Sequence, residues 1–136
     1  MADIVITPAN VQPTQQGNLR GVAGVAISAG QMCRLDSADN KWKLASATAE
    51  DTADAPAMAL NSAAPDQEVI LGSDRNDVTL GSGVLAAGEV YVVSATAGGL
   101  APIGDLVSGN FTSIVGYAIS ADAIRFSRVV TGIAKA

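Results

Sequence analysis

Short apolar runs broken by turn residues dominate the chain. The segments 4–6, 68–71, 77–80, 112–119 and 124–129 are rich in Val and Ile and are bounded by Gly, Pro, Asn, Asp or Ser. That pattern predicts strands, because β-branched side chains suit a pleated surface and Gly and Asx residues supply turns. Two hairpins follow from it. Asp36-Ser37-Ala38-Asp39-Asn40 separates 32–35 from 42–44, and Ala97-Gly98-Gly99 separates 91–93 from Leu100. One helical patch of one or two turns is expected at Thr48-Ala49-Glu50-Asp51, where a capping-box-like start and acids in the first turn precede a stop at Pro56. The fold class is all-β, a small barrel or sandwich.

The body carries an internal duplication. Ala26-Ile27-Ser28-Ala29-Gly30-Gln31-Met32-Cys33-Arg34-Leu35 aligns with Val84-Leu85-Ala86-Ala87-Gly88-Glu89-Val90-Tyr91-Val92-Val93. Each copy reads as a strand end, an Ala-Gly turn able to take positive φ, and a second strand. Farther on, Ala57-Met58-Ala59-Leu60-Asn61-Ser62 echoes Gly116-Tyr117-Ala118-Ile119-Ser120-Ala121. The chain therefore divides into an extended arm over 1–19 and one β domain over 20–136, with pseudo-repeats at about 21–72 and 79–130.

The arm combines Ile4-Val5-Ile6 with Pro8, Pro13 and the polar stretch Thr14-Gln15-Gln16-Gly17-Asn18. Prolines so close together exclude a helix. A frayed terminus would look like this, and so would a strand that adds to a neighbouring molecule. The second reading makes Ile4, Val5 and Ile6 partner-binding residues and puts Leu19 and Arg20 at the junction with the body. Deleting 2–18 is then expected to leave a folded domain.

Composition narrows the chemistry. Hydrophobic residues make up 49% of 136, yet Phe, Tyr and Trp are few, so Ala and Gly carry the apolar content. Small side chains bury little area each, and such a core gains most when copies share an interface. No apolar run approaches the roughly 20 residues of a membrane helix. The N-terminus lacks the basic and apolar regions of a signal peptide, and the lone Cys33 suits a cytosol. A net charge of −5 with scattered Lys and Arg offers no basic stripe for nucleic acid.

Histidine is absent, which removes the common general base and His-based metal sites. Cys33 aligns with Tyr91 inside an apolar strand and reads as buried filler. Gly21-Val22-Ala23-Gly24 lacks phosphate-loop spacing. The clusters Asp74-Arg75-Asn76-Asp77 and Glu50-Asp51-x-x-Asp54 match no calcium loop and read as solvated turns. No catalytic, cofactor-binding or metal-binding residue is assigned, and no small-molecule substrate is expected. Trp42, between Lys41 and Lys43, is either core packing or an intersubunit anchor.

Three segments carry a resemblance. These are the run from Gly88 to Pro102, Asp105-Leu106-Val107-Ser108-Gly109-Asn110-Phe111, and Val115-Gly116-Tyr117-Ala118-Ile119-Ser120. With the Ala-Gly turn, hairpin and 57–60 strand of the first half, they resemble the capsid decoration, or cement, families of tailed phages. The resemblance covers about 21–135. It implies a non-enzymatic virion protein, made in a bacterial cytoplasm and placed on the outer capsid surface. Its partners would be the major capsid protein and itself, as a homotrimer, with the arm reaching capsid or neighbouring subunits. A tail or head-fibre accessory module is the alternative within the same setting, and an enzyme using acids alone is a distant third.

Overall fold

A computed structural model describes residues 3–13, 19–54, 57–73 and 77–135. Its strands are β1 (Gln12–Pro13), β2 (Leu19–Val22), β3 (Met32–Asp36), β4 (Lys41–Leu44), β5 (Ala57–Ala59) and β6 (Glu68–Gly72), then β7 (Asp77–Thr79), β8 (Val90–Val93), β9 (Leu100–Pro102), β10 (Phe111–Ala118) and β11 (Ala123–Ala134). One turn of helix, α1 (Glu50–Ala53), and the 3-10 turns Pro8–Asn10 and Ile103–Asp105 complete it. Both expected hairpins form, as β3–β4 and β8–β9. α1 departs from its expected start. Ala49 stands at the cap with no side-chain bond, and the Thr48 hydroxyl lies 3.0 Å from Ser46 Oγ instead. The expected stop, Pro56, lies outside the described residues.

Two antiparallel sheets make the body, ordered β2-β6-β5-β3-β4 and β1-β7-β11-β10-β8-β9. Without β1, the two orders are one order repeated, with β2 to β6 corresponding to β7 to β11 taken in the chain sequence of each half. The duplication extends to register. Cys33 lies opposite Ala57 as Tyr91 lies opposite Gly116, and Leu71 lies opposite Leu19 as Ile124 lies opposite Val78. Gly30 N donates to Ala59 O at 2.8 Å, and Gly88 N to Ala118 O at 2.8 Å. Both glycines have positive φ, 93° and 83°, where a side chain would strain the turn that sets this register.

The architecture is sandwich-like, with no closed barrel. The first sheet curls until its edge strands touch at a single parallel bridge, Ala23 to Trp42, and Gly24 N donates to Trp42 O at 2.8 Å. It also separates two cores. Neighbours on β3 and β5 point opposite ways: Met32 and Met58 enter the larger core, whereas Cys33, Ala57 and Ala59 enter the smaller. The larger core takes its bulk from the second half, with Leu80, Tyr91, Leu100, Ile124 and Phe126. The smaller is built from Ala23, Ile27, Trp42, Ala63, Val69, Leu71 and their small neighbours. Each fully buried Leu- or Val-sized side chain stabilises the fold by about 1.5–3 kcal/mol relative to exposure.

Candidate functional site

Each residue expected to bind a partner now has a place. Ile4 and Ile6 are half-buried against the larger core of their own chain, and Val5 between them is 82% exposed. Ile4 N donates to Leu100 O at 3.1 Å, and Ser94 Oγ donates to Asp3 Oδ1 at 2.7 Å. Val11 is buried in the same core, and β1 pairs with β7. The arm is thus docked on its own chain. Two of its three apolar side chains already have a partner at home. Leu19 and Arg20 open β2, the first strand of the body. Leu19 packs on the smaller core, while Arg20 makes an exposed 3.8 Å contact with Glu68 that contributes little. Trp42 is 6% exposed within the smaller core, so it is a packing residue and not an intersubunit anchor. Residues 14–18 lie outside the described residues.

The arm completes the second half. Trp42 and Leu100 are equivalent, since each stands opposite the corresponding residue of its hairpin, Leu35 and Val93. The Trp42 carbonyl is met by Gly24 N, and the Leu100 carbonyl by Ile4 N. The arm therefore stands where the first sheet uses its own edge. Two clefts flank it. One, of about 330 Å³, is lined by Ile4, Ile6, Gly30, Gln31 and Gly98. The other, of about 400 Å³, is lined by Ile4, Val84, Tyr91 and Pro102, and the Tyr91 hydroxyl accepts from Ala86 N at 2.9 Å beside it.

A second surface distinguishes the halves. β10 and β11 run on well past the counterparts β5 and β6, pairing Ile114 with Val129, Ser113 with Val130 and Phe111 with Ala134. Extra residues on β11 bulge at two places, one of them near Gly132 at φ 65°. Lys135 Nζ donates to Leu106 O at 2.7 Å, tying this end to the loop that carries Val107. Val107, Val129 and Ile133 are 62%, 50% and 68% exposed. Sequence reading missed these three. For Ile133 the signal was the apolar pattern continuing beyond 129, where the strand was expected to stop.

The polar clusters are peripheral. Arg128 contacts Asp54 at 3.4 Å, and Glu50, Asp51 and Asp54 line an open cleft with Gly132. Asp77 takes two bonds from Arg125, at 2.8 and 3.0 Å, and that guanidinium holds its carboxyl below the usual range. The rest of that cluster, Asp74 to Asn76, lies outside the described residues. Among the described residues no group of three or more Cys, Asp or Glu could hold a metal ion. Cys33 is fully buried, and burial pushes its thiol up to about 12. No helix among the described residues is long and apolar enough to cross a membrane.

Compared with family models, curated proteins and solved structures, the chain matches none.

Proposed function

We propose that this chain is a structural protein of a tailed-phage particle, decorating the outer capsid surface as an oligomer and stabilising it by contact alone. The observation that carries the reading is the extended β10–β11 hairpin. A duplicated scaffold displays what its fold requires in both halves, and the extension exists in only one. There it leaves Val107, Val129 and Ile133 in solvent, at a cost that a partner's cover would recover. The segments resembling decoration proteins include the loop that carries Val107.

Under this reading the protein needs no cofactor or substrate. Its partners are the major capsid protein and further copies of itself, as a homotrimer. Weak apolar contacts repeated through an oligomer become collectively strong. Binding to the intact shell and not to its disrupted form stabilises the shell by mass action. The particle is the place of action, and the bacterial cytoplasm the place of synthesis.

The test is to locate the chain in the parent virion by electron cryo-microscopy. Clusters at three-fold positions, with the β10–β11 extension against the shell, are the expected result. Density only at the tail or at a unique vertex would overturn decoration in favour of a tail or head-fibre module. The double variant Val129→Asp/Ile133→Asp should keep its melting temperature and lose binding to isolated shells.

A further inference from the structure

We propose that residues 3–6 are an exchangeable segment, so that in assemblies the arm of one copy occupies the Leu100 seat of the next. The comparison of the two halves leads here. At Trp42 the open carbonyl is satisfied by Gly24, an adjoining part of the same sheet; at Leu100 it is satisfied by the far end of the chain. Nothing in the second seat requires that end to come from the same molecule.

The contacts that hold residues 3–6 lie between that segment and its seat. They are the bond from Ile4 N to Leu100 O, the bond from Ser94 Oγ to Asp3 Oδ1, and the packing of Ile4 and Ile6. The connection contributes none of them. Thr7, Pro8, Ala9 and Asn10 are all exposed, and the turn they form buries nothing. Two backbone bonds close it, Asn10 N to Thr7 O at 2.9 Å and Val11 N to Pro8 O at 3.2 Å. Opening there frees the segment while Val11 and β1 stay in place.

The connection between β1 and the seat is residues 7–10, which extended reaches about 13–14 Å, so exchanging copies must meet with the seat at their boundary. An exchanged arm makes the same contacts as a home arm, so the main cost is association, which falls when copies are held side by side. Val5 faces outward from the seat and would lie at the boundary between copies. The exchange runs one way, from donor arm to acceptor seat, and closes into a ring if the rotation permits.

This inference sharpens the arm's role in the proposed assembly, but it is tested in purified protein without any shell, so either idea fails alone. Full-length Asp3→Cys and Ser94→Cys chains are mixed at high concentration and oxidised. The buried Cys33 stays out of the reaction. Covalent heterodimers on a non-reducing gel are the expected result. The Asp3→Cys/Ser94→Cys double variant should give interchain species that increase with concentration. A double variant that closes only within single chains, beside a mixture without heterodimers, would overturn the exchange. So would a wild-type chain that sediments as a monomer at the highest concentration reached; exchange predicts an oligomer that Ile4→Asp dissociates.

Discussion

The first half of the molecule closes on itself, with β2 and β4 meeting at Ala23 and Trp42, whereas the second half borrows Asp3 to Pro13 to fill the space between β7 and β9. Strand order and register are otherwise the same. The difference shows how a duplicated unit divides its labour. The self-contained copy needs small side chains and one large indole inside a tight curl. The other, wider and filled by larger residues, depends on a segment distant in sequence and carries the long hairpin outward.

The sharpest way to break this comparison is at Trp42. Trp42→Ala empties the curl of the first half and should cost about 3–5 kcal/mol, as buried aromatic truncations do. Urea titration measures it, and a cost below that of removing the arm would refute the view of a self-contained half. Deleting residues 2–10 comes next. Loss of two half-buried isoleucines and their backbone bond should cost about 2–4 kcal/mol. The domain left by such a deletion is then expected to be folded but less stable.

Smaller effects separate the halves by pH. Cys33 belongs to the first half, and its thiol is raised from 9.0 in the unfolded chain to about 12. The unfolded state therefore releases its proton first, and stability falls as pH rises from about 9 towards 12. Cys33→Ala should flatten that alkaline decline, and native protein at pH 8 should resist thiol reagents that label it in denaturant. The smallest effects are acidic. Asp36 is lowered chiefly by its bond from Lys43, Asp39 by the backbone N–H of Lys41, and Asp77 by Arg125. A carboxylate lowered on folding contributes stability above its unfolded pKa, lost as pH falls through the folded one. Asp77→Asn should remove a slight part of the acid transition and leave the neutral-pH midpoint nearly unchanged, as should Asp36→Asn.

Much of the fold was legible where local chemistry decides it. Gly30 and Gly88 mark turns that only a residue tolerant of positive φ makes easily, and they align the two copies. Asp36 to Asn40 announces its hairpin in the same way. The β2–β7 equivalence was hidden, because Leu19-Arg20-Gly21-Val22 and Asp77-Val78-Thr79 share no sequence pattern and are matched only through partners far along the chain. The arm was read as an extended segment, and its docking on its own chain was not legible. Alternation in Ile4-Val5-Ile6 tells which side chains will be covered but not which molecule covers them. Trp42 was undecided for a related reason: alternation sets it on the face opposite Lys41 and Lys43 but does not say whether its own chain or another covers that face.

The bond between Ile4 and Leu100 also orders events during synthesis. The arm leaves the ribosome well before its seat, which does not exist until nearly a hundred further residues have been added. At roughly 5–20 residues per second, the wait is about 5–20 s. Over that interval the first half has all its own strands and can fold, while Ile4, Val5 and Ile6 remain uncovered on a polysome crowded with identical chains. Docking of the arm thus waits for β9, made long after the arm itself.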